Sequence, residues 1–373
     1  MAAGLVAALV VPTDADAAAV GRADDLAGLE ALVAPAPVIT TPRVRSLRAG
    51  LNPALPYVVA SRPVPPGLVD RVRLAAPLSD AVLAFSYKSY AIARALGAGL
   101  GLPVVVREHN LEGQYHHALA AAASGPRSWA MRLEAVRVDR DERRLERASW
   151  LSGVADISLA DAEVRRRRAR VPVAYVPTFA LGPRTADTAA AWTPNDSKTV
   201  VFLGALDVAT NHDAVSWFAA RVWPQVLAAV PEARWQVVGR KPSAAVRRLV
   251  AETPQTELHA DVPSPAAFLS AAAVAVNPAV SGSGVNIKLV DYLAVGVPVV
   301  STTRGMLGLG LDATMDLAVE DESAAFAQRL ATLLRDQDQA ARLGAAGHAK
   351  ALAILDTSGS LATLASLFGS AHS

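Results

Sequence analysis

With 373 residues the chain has room for two domains of about 150 residues each, and its 52% apolar and 19% charged content supports two buried cores and excludes disorder. It has no cysteine, which excludes a disulfide scaffold, thiolate catalysis and thiolate metal sites and suits a cytoplasmic setting. The net charge of +2 hides an asymmetry, because residues 1–180 carry 22 Lys and Arg against 17 Asp and Glu while the remainder carries 14 against 17.

The apolar start, Met1 to Pro12, has no basic leading region and no small-residue cleavage site, so it reads as a strand rather than a signal peptide. No uncharged apolar run reaches the ~18 residues of a spanning helix, so the chain is expected to be soluble or to sit peripherally on a membrane. The basic excess of the first half suits an anionic membrane or an anionic acceptor. Nucleic acid is not an expected partner, because no aromatic residues interleave with the arginines as a stacking platform. No internal repeat is evident.

Apolar runs alternate with helical patterns, the signature of an α/β fold with parallel sheets. In the first half the pattern predicts strands at Leu5–Val11, Pro37–Thr40, Ala81–Phe85, Pro103–Arg107, Trp150–Gly153 and Ala174–Val176. A helix over Arg127–Ala148 carries dense mixed charge, with pairs such as Asp139 and Arg143 four apart on a solvated face. Gly182 to Lys198, rich in Ala, Thr, Pro and Asp, reads as a linker.

The second half then predicts strand Thr199–Leu203, helix Asp213–Val230, strand Arg234–Gly239, helix Ser243–Glu252, strand Glu257–Ala260, helix Pro265–Ala272 and strand Val274–Pro278. After a loop at Ala279–Gly284 come helix Ile287–Val295, strand Val299–Thr302, a short strand near Asp316–Val319 and helix Glu322–Arg335. That order is doubly wound and nucleotide-binding. The expected division is a first domain over 1–181, the linker 182–198, a nucleotide-sugar domain over 199–355, and a tail over 356–373 that packs back on the first domain. Two such domains are expected to face a cleft where ligands sit.

The chemistry concentrates in Asn277 to Ser301, where a strand ends at Pro278, a Gly/Ser loop follows, and a helix begins near Asn286. Glycine lets backbone approach a ligand closely, and free N–H groups at a helix start favour phosphate. Asp291, about one and a half turns in, suits ribose hydroxyls. As chemistry alone this is an anion site of open substrate.

This segment resembles the donor motif of family 4 glycosyltransferases, in the branch that reads G-S-G-x-x-x-K-x-x-E-x-x-A-x-G-x-P-V-V-S-T. Phe202-Leu-Gly204 through Asn211, His212 and Asp213, then Trp217-Phe218, Trp223-Pro224 and Val237-Val-Gly239, agree with it over about residues 5–355. The resemblance implies a GT-B fold of two Rossmann-like domains and a retaining, metal-independent enzyme with a nucleotide-sugar as substrate and no cofactor. Asp291 takes the place of the motif's second glutamate, on the ribose. Ser283 stands where commoner members carry a first glutamate near the donor sugar. The backbone of Gly282, Ser283 and Gly284 would line the phosphates, with Val285, Asn286, Gly204 and Gly239 also in the donor site.

Most members carry an Arg and a Lys after the first strand of this domain, but Gly204 to Thr210 has no basic residue. Lys288, Arg240 and Lys241 are the substitutes. Lys288 ranks first, with a solvated surface lysine as the alternative. Arg107-Glu-His-Asn-Leu-Glu112 follows the strand Pro103–Arg107, and strand ends point into the ligand crevice of a parallel sheet. The resemblance places His109 at the reacting sugar, with Asn110 and Glu112 on the acceptor side. The alternatives are a structural histidine and a Glu112 that caps the next helix. Ser158 after Asp156, Tyr175 to Thr178, and the run Arg165–Arg168 read as structural or solvated.

Asp14-Ala-Asp16 suggests a metal-dependent GT-A enzyme only weakly, since it precedes any complete nucleotide-binding unit and suits a helix cap. A dehydrogenase lacks its third glycine. A nucleotide-sugar epimerase shares the fold, and a non-catalytic nucleotide-sugar-binding partner is the second reading. The family's first strand and glycine loop, which precede the strand matching Leu5–Val11, have no counterpart here, so the first domain is expected to lack its usual first βα unit.

Overall fold

The computed structural model describes residues 9–14, 38–44, 46–177, 191–282 and 284–369. Asp16, Thr178, Ser283, most of the predicted linker and the first part of the strand at Leu5–Val11 lie outside them. The chain forms two compact units, one running to Pro177 and including the last helix from Thr357, the other spanning Thr178–Asp356.

In the first unit, parallel strands β1 (Leu9–Asp14) and β2 (Val38–Arg43) pair with each other. A second sheet is built in the order β3-β4-β5-β6 from Val82–Ala84, Val104–Glu108, Gly153–Asp156 and Val173–Tyr175. Among the described residues no ladder joins the two sheets. They share an apolar cluster in which Ile39 and Val10 meet Val82, Leu68 and Val72 of α1 (Leu68–Ala75), and Ile92 and Leu96 of α2 (Tyr90–Leu100). The strand predicted at Trp150–Gly153 lies three residues later, because Ser152 N–H already bonds Val104 and the preceding residues form the turn that ends the long helix.

Between β4 and β5 run α3 (Glu112–Ala122) and α4 (Pro126–Leu145), packed along each other. Helix α5 (Leu159–Arg166) links β5 to β6. Ser158 caps it, accepting from Asp161 N–H at 3.2 Å, so this serine has the structural role.

The second unit is a six-stranded parallel sheet whose strands over Thr199–Ala205, Val274–Asn277 and Val299–Ser301 are mostly apolar, as strands covered on both faces require. Its strands are β7 (Thr199–Ala205), β8 (Arg234–Arg240), β9 (Thr256–Ala260), β10 (Val274–Asn277), β11 (Val299–Ser301) and β12 (Ala318–Val319), ordered β12-β11-β10-β7-β8-β9. The predicted helix Asp213–Val230 is three pieces: α6 (Ala209–Trp217), a π turn at Phe218–Val222, and α7 (Trp223–Ala229). Pro224 supplies no N–H to the ladder, and the widened turn lies just before it. Phe218, Trp223 and Trp235 stack there in the core with Phe326.

Helices α8 (Ala244–Glu252), α9 (Ala266–Ala271), α10 (Ile287–Val295), the single turn α11 (Thr303–Met306), α12 (Ser323–Arg335) and α13 (Gln337–Ile354) complete the unit. Gln337–Gly369 passes a length-and-composition test for a membrane span. It is nevertheless broken near Leu355, α13 packing on α10 and the final helix α14 (Thr357–Gly369) on β5.

Candidate functional site: the switch point of the second sheet

The strand order of the second unit reverses between β7 and β10, so the loops after these strands diverge and leave a crevice at their carboxyl ends. Gly204 and Gly239 pair in register at the ends of β7 and β8. A Cβ on Gly239 would collide with the Gly204 carbonyl oxygen, so this approach needs glycine.

Lys288 sits in the first turn of α10, the helix that follows β10 and the glycine loop. Its ammonium donates to Asn211 Oδ1 at 2.6 Å and lies 4.3 Å from the centre of the Phe202 ring. Asn211 is itself oriented, because its Nδ2 donates to Ala205 O at 2.9 Å and so turns the carbonyl oxygen toward the lysine. Among the described residues no carboxylate bonds the ammonium. Burial lowers its pKa to about 7. The solvated-surface reading of Lys288 is therefore wrong. Helix α10 is docked by Tyr292, whose hydroxyl accepts Leu203 N–H at 2.6 Å, and this fixes where Lys288 can reach.

The glycine loop is held from three sides. Gly282 has φ +95° and lies against Thr210, where a Cβ would come within 2.8 Å of the threonine methyl. Ser281 Oγ donates to Asp213 Oδ2 at 2.6 Å, and Arg304 Nη1 donates to Gly282 O at 2.8 Å. Arg304 is placed by a buried frame: Asn277 Nδ2 donates to Gly305 O at 3.0 Å, Thr302 Oγ1 donates to Ala279 O at 2.7 Å, and Gly305 N–H returns a bond to Thr302 Oγ1 at 3.1 Å. Asn211 and Arg304 are the residues that sequence reasoning did not select. Asn211 was visible only as part of a matching stretch, and nothing in the sequence signals that Arg304 meets the loop.

Asn286 occupies the N-cap of α10 without a side-chain bond to the first turn, and half-buried Val285 packs toward the core beside it. Asp291 is half-buried in the middle of α10. Gly284 has φ +86°. Arg240 ends β8 beside Ala205, and Lys241 follows with its N–H on Asp261 Oδ1 at 2.8 Å; both side chains are exposed. Among the described residues, no three His, Asp or Glu side chains gather to hold a metal ion.

In the first unit, His109 is exposed just beyond β4, and partial desolvation with the charges of Arg107 and Lys88 lowers its pKa. Asn110 is half-buried, and its carbonyl accepts from Arg165 at 3.3 Å. Glu112 does not cap its helix. Glu142 of α4 does, accepting the N–H groups of Glu112 and Gly113 at 3.0 and 3.1 Å. The Glu112 carboxylate is buried against His116 at 3.6 Å; burial raises its pKa, but His116 and Lys88 outweigh that and leave it lowered.

The run Arg165–Arg168 is solvated only in part: Arg166 and Arg167 are exposed, whereas Arg165 and Arg168 turn inward. Arg165 is fully buried and binds Asp156 at 3.0 Å, Glu142 at 3.2 Å, and Glu146; Arg168 reaches Glu146 at 2.6 Å. Burial alone would lower the Arg165 pKa, but its carboxylates overcome that and hold it above the usual value. Glu108 beside them is wholly buried and without a hydrogen-bond partner among the described residues, and desolvation raises its pKa well above the carboxylate range.

Residues 197–336 match the family model described as "Glycosyl transferases group 1". No curated protein matches the sequence. The fold resembles that of TarM (12% identity, TM-score 0.61, 80% of this chain and 57% of that one). It also resembles sucrose-phosphate synthase of Thermosynechococcus elongatus (15%, 0.63, 97% and 98%) and Anabaena HepE in complex with UDP-glucose (15%, 0.60, 96% and 91%). The chain thus spans just over half the length of TarM. The fold is GT-B. All the loops built above around Lys288 fall inside the matched segment.

Proposed function

We propose that this chain is a metal-independent glycosyltransferase that moves a sugar from a nucleotide-sugar donor to an acceptor with retention of anomeric configuration. The supporting observation is a lysine held at a switch-point crevice by a neutral amide and an aromatic ring, beside a pinned glycine loop. A diphosphate would supply the missing countercharge. In the transfer, the C1–O bond to the diphosphate breaks, the acceptor hydroxyl oxygen bonds to C1, and its proton passes to the departing diphosphate. The Lys288 ammonium and the backbone N–H groups at the start of α10 offset the charge that builds on the leaving group. Asp291 accepts from the ribose, and His109, with Asn110 and Glu112, serves the sugar and acceptor from the first unit. The family match and the UDP-glucose bound to HepE support this donor class. The basic first unit, in a cytoplasmic protein, is the side that meets an anionic membrane.

A nucleotide-sugar-binding protein without turnover is the second reading, favoured by Ser283 in place of a glutamate. Calorimetry with UDP and turnover of UDP-glucose in EDTA separate the two. Asp291→Ala should weaken UDP binding by about 1–3 kcal/mol, and His109→Ala should cut turnover far more than affinity. Unchanged affinity in a folded Asp291→Ala variant contradicts the ribose assignment. Turnover absent in the parent protein leaves the binding reading, and turnover that needs Mn²⁺ contradicts metal independence.

A further inference from the structure

Helix α4 has two unlike faces. One is buried through Ala135, Val138, Glu142 and Leu145. The other carries Trp129, Leu133 and Val136, which are 73%, 66% and 46% exposed, and continues along the same line with Arg140, Arg143 and Arg144 and, in the turn that follows, Arg147. The steps of three and four keep these side chains within one stripe about 100° wide. From Trp129 to Arg147 the stripe runs about 27 Å at 1.5 Å per residue. Arg132 lies over the Trp129 ring at 5.6 Å. Asp139 is the acidic residue on its border, and Arg143 occupies it at 3.0 Å.

We propose that this face of α4 is a docking surface for an anionic lipid bilayer, with Trp129, Leu133 and Val136 entering the headgroup region and the arginines binding lipid phosphates. This rests on the reading that the first unit meets a membrane, and it assigns that role to one helix face. A single exposed tryptophan with aliphatic neighbours and a row of arginines is the composition of an interfacial helix. A protein partner fits less well, because the core of a protein interface is depleted in charge, whereas here arginine forms half of the stripe. Nucleic acid fits less well again, since one indole is no stacking platform.

The test is co-sedimentation of the full chain with phosphatidylcholine vesicles, with and without phosphatidylglycerol. Two variants are compared, Trp129→Ser/Leu133→Ser and Arg140→Glu/Arg144→Glu. Both change exposed side chains, so their thermal midpoints should match the parent and report intact folding. The parent should bind anionic vesicles, release them as salt rises, and ignore neutral ones, and each variant should bind at least tenfold more weakly. A parent that binds while both variants bind equally well overturns the α4 assignment and leaves membrane contact elsewhere on the unit. A parent that ignores anionic vesicles overturns both. A shift from dimer to monomer in Trp129→Ser/Leu133→Ser, with vesicle binding unchanged, makes the stripe a contact between copies and overturns the proposal.

Discussion

Arg165 and Lys288 are both drawn from water, and their surroundings could hardly differ more. Arg165 in the first unit is ringed by Asp156, Glu142 and Glu146, and its charge is held firmly. Lys288 in the second has a neutral amide, an aromatic ring and, among the described residues, no bonded carboxylate, and its pKa falls to about 7. A buried charge that is matched within the fold serves the fold. On the function proposed above, one left unmatched beside the glycine loop is poised for a ligand of opposite sign, a diphosphate.

The comparison breaks first if Arg165 proves dispensable. Arg165→Met should lower stability by about 3–5 kcal/mol, read as a fall in denaturant midpoint, because it strands several buried carboxylates. The loss should shrink in acid, where protonation of Asp156, whose pKa burial raises to about 6, relieves part of the repulsion.

Lys288→Met should do the reverse. Affinity for UDP should fall by about 1.5–3 kcal/mol, the range for a hydrogen bond to a charged group, while the thermal midpoint holds or rises. The sign follows from the lowered pKa. Between about 7 and the ordinary 10.5 the unfolded chain holds a proton that the folded chain has shed, so stability rises with pH in that window, and methionine removes the slope.

The smallest effect sharpens the comparison most. Asn211→Ala should weaken UDP binding by about 0.5–1.5 kcal/mol through loss of the lysine's orientation, and Asn211→Gln should not restore it, since its longer side chain cannot hold both Ala205 O and the ammonium. Equal affinity in all three proteins would mean that Asn211 does not position Lys288.

Legibility followed length and chemistry. The doubly wound order of the second unit could be read because its buried strands are unbroken Val, Leu and Ala between helical stretches, and α10 was placed at Ile287–Val295 by its glycine loop and Gly296. Trp150 and Leu151 misled because apolar residues in a helix-ending turn look like strand. The π turn at Phe218–Val222 was hidden because a local change of hydrogen-bond ladder keeps the apolar spacing. Arg165 and Arg168, in a run whose other two arginines are exposed, looked solvated because sequence does not show Asp156, Glu142 and Glu146 arriving from other elements. At the site, the glycines and Lys288 were legible as a motif, but the groups that hold the ammonium, Asn211 and Phe202, come from helix α6 and strand β7.

The affinity of UDP as a function of pH tests the central claim most directly. If Lys288 is the unmatched cation that a diphosphate completes, binding takes up a proton above pH 7, and calorimetry in buffers of different ionisation enthalpy detects it. Between about pH 7 and pH 9 affinity should fall by up to about tenfold per unit, a dependence that Lys288→Met removes. Affinity that stays flat across that range in the parent protein, with no proton taken up, would contradict the account.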